Sequence, residues 1–229
     1  MVLVIAHDLS VTGGVNNFLR IMRKRLRGRT RATRFVNGRR KGEAGKLAIL
    51  KRLVRDYARF CAVIRRGRFD ILHLNPSLDL SSMPRELVFV WLARLLAPRT
   101  RILIFYRGWD WRAFEKITSS RWKRRLFVAT QHRADRIFVL AESFADALTA
   151  LDDKLPPIRL MSTMFEGEVL GPVLEQGIAR EPRTMLFLSR FVAAKRGDSV
   201  IRAFADLRTR YPDARLVMAG DGPERAALE

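Results

Sequence analysis

The chain has 229 residues, 48% of them apolar, with 44 Lys and Arg against 23 Asp and Glu and a formal net charge of +21. That length is enough for one complete domain with its own core and part of a second. The single cysteine, Cys61, excludes internal disulfides and thiolate clusters and fits a reducing, cytoplasmic compartment, and His7, His73 and His132 fall in no metal-ligand spacing.

The first apolar run, Val2 to Ala6, predicts a strand, and with no basic segment before it, it does not read as a signal peptide. A loop with Thr12-Gly13-Gly14 follows, then a helix from about Val15 with Phe18, Leu19, Met22 and Leu26 on one face. Strand, glycine pair and helix together let a backbone approach a ligand beside a helix N-terminus; a plain tight turn is the alternative. From Arg20 to Phe69 the sequence carries 19 basic and 2 acidic residues. Within that stretch Leu47 to Ile64 predicts an amphipathic helix, with Leu47, Leu50, Leu53, Val54, Tyr57, Cys61 and Ile64 as its apolar stripe opposite a basic face.

Asp70 to Leu74 reads as a strand closed by Asn75-Pro76-Ser77, and Pro84 to Leu96 as a helix. The most apolar run, Leu87 to Ala97, contains Arg94 and is too short to span a bilayer, so a buried core helix is expected. Arg101 to Phe105 is a strand ending at Tyr106-Arg107-Gly108-Trp109-Asp110, and Ala113 to Thr130 reads as one helix. Arg136 to Leu140 is a further strand, Ala141-Glu142-Ser143 a cap for the helix Phe144 to Leu151, and Ile158 to Met161 a strand leading into Ser162-Thr163. Strands alternating with helices predict an α/β fold, a Rossmann-like doubly wound parallel sheet. Ligands of such sheets gather at the carboxyl ends of the strands, where Gly13, Gly14, Asn75, Ser77, Arg107, Asp110 and Thr163 all fall.

Gly171 to Arg183 holds Gly171-Pro172, Gly177 and Glu181-Pro182 and reads as a linker between a domain over residues 1–170 and a second over 184–229. The second begins with a strand, Thr184 to Leu188, then Arg190 and Lys195 in a loop, a helix over Asp198 to Arg210, a strand over Ala214 to Ala219, and Gly220-Asp221-Gly222-Pro223 opening another helix. As read, this is the incomplete start of a second Rossmann-like domain, expected either in a fragment of a longer enzyme or in a truncated remnant.

The order of strand, Ser189-Arg190, Lys195-Arg196-Gly197, and a second strand ending Ala219-Gly220-Asp221-Gly222-Pro223-Glu224 resembles the opening of the donor domain in family 4 (group 1) GT-B retaining glycosyltransferases. The resemblance implies a GT-B fold whose N-terminal half is the acceptor side. It implies a nucleotide-diphosphate sugar as donor substrate, no metal or other cofactor, and Arg190 and Lys195 on the diphosphate. Gly13 and Gly14 would be the N-domain loop facing that group, with Asn75, Ser77, Asp110 and Thr163 on the acceptor side. Chemistry agrees, because a guanidinium and an ammonium stabilise the charge that grows on a departing diphosphate. Ordinary solvated loop charges are the plainer account of the same two residues.

Arg107 stands where many relatives carry a catalytic-site histidine. An arginine is no general base at neutral pH, though it can hold an acidic acceptor or a phosphate. In that family the leaving phosphate is thought to take the acceptor proton. The basic helices suit an anionic membrane surface and a lipid-linked or polysaccharide acceptor, with peripheral attachment to the cytoplasmic membrane face. With 36 arginines and 8 lysines, genome base composition is a competing source of the charge. Nucleic acid ranks below the membrane, since no recognised binding motif is spelled. The expected function is sugar transfer from a nucleotide-diphosphate sugar; the alternative is a non-catalytic remnant or basic binding module.

Overall fold

The computed structural model describes residues 1–6, 13–38, 45–80, 83–177 and 181–229. The chain forms two compact units, Met1–Glu166 and Gly167–Glu229.

In the first unit the order is β1 (Val2–Ala6), α1 (Gly14–Leu26), β2 (Ala32–Val36), α2 (Lys46–Arg66), β3 (Ile71–Leu74), β4 (Ser77–Leu78) and α3 (Met83–Leu96). It continues with β5 (Arg101–Phe105), β6 (Gly108–Trp109), α4 (Trp111–Thr118), α5 (Arg121–Gln131), β7 (Arg136–Val139), α6 (Glu142–Leu151) and β8 (Ile158–Leu160). The main sheet is parallel throughout, in the order β2-β1-β3-β5-β7-β8, with Val4 opposite Arg34 on one side and His73 on the other. This is the α/β Rossmann-like arrangement the alternation predicts. Its central strands are apolar on both faces, as a sheet covered by helices requires. Leu3, Ile5, Leu72, Leu74, Ile102 and Ile104 join Phe60, Phe89 and Ile64 in one core, while Val4, Ala6, Phe18, Leu19 and Phe105 pack in a second cluster.

Four local features differ from the sequence reading. The helix expected over Ala113 to Thr130 is two, α4 and α5, broken at Ser119 and Ser120; Asp110 starts the first by accepting from Arg112 N and Ala113 N. The helix after β7 begins at Glu142 with Ala141 as its N-cap and no side-chain cap, so Ser143 lies inside it. Strand β2 carries no apolar run because it is an edge strand, with only Phe35 buried among its five residues. The apolar stripe of α2 also divides. Phe60 and Ile64 are buried, whereas Leu47, Leu50 and Val54 are exposed and Arg52 and Asp56 turn inward. The Arg52–Asp56 pair, 3.6 Å apart at i,i+4 spacing, compensates its own charge and so tolerates that burial.

The second unit holds α7 (Gly167–Glu175), β9 (Thr184–Leu188), a 3₁₀ turn (Ala193–Lys195), α8 (Gly197–Arg210), β10 (Arg215–Ala219) and α9 (Arg225–Leu228). Helix α7 covers the first part of the segment read as linker and accommodates Pro172. Strands β9 and β10 pair in parallel, from Thr184 opposite Arg215 to Leu188 opposite Ala219.

Helix α3 buries Glu86, whose Oε1 lies 3.6 Å from Arg85 Nη2. Burial pushes this carboxyl up to about 7 against the opposing pull of Arg85. An acid held protonated in the fold but ionising near 4.5 when unfolded loses stability as pH rises between those values. The span corresponds to about 3 kcal/mol. Urea unfolding of wild type and Glu86→Gln at pH 5 and pH 8 should therefore show the Gln variant gaining on wild type by up to that amount at the higher pH. An unchanged gap would mean the carboxyl is ionised inside the fold.

Candidate functional site

In the main sheet β2 and β3 flank β1 on opposite sides, so the winding reverses between β1 and β3. Open parallel sheets bind ligands beyond the carboxyl ends of the strands at that point. Asn75 stands there, immediately after β3, and is buried. Its Nδ2 donates to the carbonyl oxygen of Ile5 at 3.2 Å, and its Oδ1 accepts from Arg107 Nε at 3.1 Å. The guanidinium of Arg107 lies between two aromatic faces, 3.5 Å from the Phe18 ring centroid and 3.6 Å from that of Phe105. Its Nη2 is buried with no hydrogen-bond partner among the described residues. Desolvation lowers Arg107 to about 10, which leaves it cationic at neutral pH.

His73 belongs to the same group. Its ring stacks on Phe105 at 6.5 Å and 16°, and burial, with the Arg107 charge second, pulls it down to about 4. It is neutral at pH 7. Neither the aromatic sandwich nor the part His73 plays in it is legible in the sequence. The sequence shows only that the strand runs ending at Leu74 and Phe105 are followed by Asn75 and Tyr106-Arg107; their pairing comes from the fold.

The loops after β3 and β5 are fastened together. Arg107 N donates to Pro76 O at 2.8 Å, Asp110 N to Leu78 O at 3.0 Å, and Ser77 pairs with Gly108 across β4 and β6. A Cβ on Gly108 would sit 3.0 Å from Ser77 Oγ, so the glycine permits this close approach. Trp109 stacks on Phe144 at 4.7 Å and 7°, with Phe114 and Tyr106 around it, which anchors β6 from behind.

Of the residues proposed from sequence, the structure joins Asn75 to Arg107 directly and Ser77 to the same pair of loops. Asp110 is exposed and its Oδ1 accepts from Arg112 N at 2.9 Å and Ala113 N at 3.3 Å, so this oxygen caps α4. Thr163 is exposed in the coil after β8. Gly13 is the N-cap of α1, and a Cβ on Gly13 or Gly14 would meet nothing within 4 Å among the described residues, so packing does not demand either glycine. Thr12 and His7 lie outside the described residues.

In the second unit Arg190 and Lys195 are exposed on the loop between β9 and α8, and neither makes an ion pair or side-chain hydrogen bond among the described residues. What fixes their backbone is the turn after β10. Ser189 N donates to Ala219 O at 3.1 Å, Phe191 N to Asp221 O at 2.9 Å and Glu224 N to Phe191 O at 3.0 Å. A Cβ on Gly220 would lie 1.9 Å from Ser189 O, and one on Gly222, at φ +155°, 2.2 Å from Phe191 O. Both glycines are therefore required for the two loops to touch. The first turn of α8 carries Asp198, held below the usual carboxylate range by its hydrogen bond from Arg202. Among the described residues no three His, Cys, Asp or Glu side chains gather as a metal site, and no helix is long and apolar enough to cross a membrane.

Residues 175–229 match the family model described as glycosyl transferases group 1. The matched range contains Ser189-Arg190, Lys195 and the Gly220–Pro223 turn, the residues that carry the resemblance in the sequence. The fold is similar to that of sucrose-phosphate synthase from Thermosynechococcus elongatus, with a TM-score of 0.64 at 14% identity. The alignment covers 98% of this chain and 63% of that one, and at such identity the likeness is one of fold. No curated protein sequence matches the chain.

The buried, neutral His73 gives a stability term of opposite slope to that of Glu86. With a folded value near 4 against 6.5 unfolded, its contribution is complete above pH 6.5 and lost as pH falls through 4. The loss is about 3 kcal/mol. The two terms cancel between pH 4.5 and 6.5 in wild type. Acid unfolding of His73→Gln should lack the His73 loss, and the His73 ring should titrate by NMR near pH 4; a midpoint near 6.5 would place the ring in solvent.

Proposed function

We propose that the protein is a glycosyltransferase that moves a sugar, of hexosyl type, from a nucleotide-diphosphate sugar to an acceptor with retention and without a metal ion. The observation that carries this reading is that the stretch matched by the group 1 glycosyltransferase family holds Arg190 and Lys195 exposed on one loop after a parallel strand. Such cations stabilise the negative charge that develops on the departing diphosphate more than they stabilise the bound donor. The N-terminus of α8, 14 residues long, follows the same loop and adds backbone donors and a positive dipole end. In the first unit Asn75, Ser77 and Arg107 belong to the acceptor side. Arg107 stays protonated, so its part is to hold a group and not to take a proton. Titration calorimetry of the chain with UDP, GDP and ADP should find at least one that binds. Arg190→Ala and Lys195→Ala should each weaken that binding by about 1–3 kcal/mol, the range of charged hydrogen bonds. Equal affinities in wild type and both variants would remove the loop from the donor site.

The outer face of α2 favours a further reading, attachment to an anionic membrane surface that would serve a lipid-linked or polysaccharide acceptor. Leu47 is 65% exposed, Leu50 58% and Val54 61%, and Lys46, Lys51 and Arg55 are exposed beside them. Apolar side chains flanked by basic ones suit the boundary between acyl chains and anionic headgroups. Each basic residue near the surface contributes about 1 kcal/mol. Vesicles containing phosphatidylglycerol should sediment the protein and phosphatidylcholine vesicles should not. Leu50→Asp combined with Val54→Asp should abolish the co-sedimentation. If both vesicle types fail while single-stranded nucleic acid binds, the basic face serves nucleic acid instead.

A further inference from the structure

We infer that Arg107 forms a built oxyanion site in the first unit, which recognises a carboxylate or phosphate group. Three features of the side chain point there. Phe18 and Phe105 cover both faces of the guanidinium, at 3.5 and 3.6 Å, so a ligand can meet it only at its edge. Nε is already committed to Asn75 Oδ1, which leaves the two Nη groups as the available donors. Nη2 is out of solvent contact and has no acceptor among the described residues.

The electrostatics make that vacancy costly. A buried cation needs a counter-charge or hydrogen bonds to offset its desolvation, yet no carboxylate pairs with Arg107 among the described residues. His73, which feels the Arg107 charge, is kept neutral and offers no negative charge. A planar fork of donors, closed above and below by the two rings, matches the two oxygens of a carboxylate or phosphate in bidentate fashion. Orientation is fixed before any ligand arrives, because Asn75 is itself held by Ile5 O and the Arg107 backbone by Pro76 O. The site adjoins the point where the sheet winding reverses. Phe18 lies four residues beyond Gly14, about one turn into α1.

That Arg107 binds an oxyanion does not depend on the glycosyl-transfer reading. That this oxyanion belongs to the acceptor does rest on it. An acceptor with an acidic group, either a sugar phosphate or a uronic acid, is then the substrate class.

The full chain, carrying Arg190→Ala and Lys195→Ala so that the loop of the second unit cannot contribute, is titrated with glycerol 3-phosphate, with glucuronate and with glucose. The expected result is saturable binding of one or both anions, none of glucose, and at least a tenfold loss of affinity in Arg107→Gln. The phosphate and the carboxylate arms tell the two sources apart. In ¹⁵N spectra the Arg Nε–H signal that disappears in Arg107→Lys should shift on addition of the bound anion, a readout that survives if Arg107→Gln fails to fold. Anion affinity unchanged in Arg107→Gln, or an Nε–H signal that stays still at saturation, would overturn the inference. Failure here with intact nucleoside-diphosphate binding in the protein with Arg190 and Lys195 restored would leave the donor reading standing; the reverse outcome would leave only this site.

Discussion

The amide of Asn75 is the interaction on which the upper rim of the first unit depends. Its donor is spent on Ile5 O of β1 and its acceptor on Arg107 Nε beyond β5, so one buried side chain ties β1 to a loop two strands away. Only a group with a donor and an acceptor in fixed geometry can do this; a carboxylate would offer no donor and a hydroxyl would not span both partners. Because the amide is buried, either bond left unmade would expose an unsatisfied polar atom to the core. The aromatic sandwich follows from that tie. Once Nε is fixed, the guanidinium plane is fixed, and Phe18 and Phe105 pack against its two faces.

Much of the fold is legible in the sequence because parallel strands buried on both faces leave nearly uninterrupted apolar runs. The runs at Val2–Ala6 and Arg101–Phe105 coincide with β1 and β5, and the run Thr184–Leu188 coincides with β9, although no residue of that strand is buried. Elements at the periphery leave weaker traces. Strand β2 buries one side chain and leaves no apolar run to read, α7 buries none and contains Pro172, and the break at Ser119-Ser120 hides inside a continuous helical pattern. Of the site, the sequence supplies the residues at strand ends but not their partners. That Asn75 would meet Arg107, and that two phenylalanines would enclose the latter, depends on strand order, which no local pattern encodes. Asp110 has a role that its place at a strand end does not announce: its Oδ1 starts a helix.

Net charge proves a poor guide to the site. The excess of arginine between residues 20 and 69 lies mainly on exposed faces of α1 and α2, where water and salt screen each charge and single contributions are small. The inward-turned Arg52 is paired with Asp56. Position and not number singles out Arg107, a half-buried cation whose Nη2 lacks an acceptor among the described residues.

Both units place a cation just beyond a parallel strand and position its backbone from a neighbouring loop, but they do so in different states. Arg190 is aimed by main-chain bonds to the Gly220–Gly222 turn, whose glycines are there because any Cβ would strike the Ser189–Phe191 backbone. Its side chain is exposed and has no partner among the described residues, so a ligand must order it and lose that rotamer entropy on binding. Arg107 has been ordered in advance by Asn75 and two rings, so the cost appears as desolvation within the fold. A mobile cation tolerates a donor that must enter, react and leave as a diphosphate. A fixed and desolvated one suits discrimination, because a neutral oxygen in its place could accept a hydrogen bond but would leave the desolvated charge uncompensated, while an oxyanion would supply both.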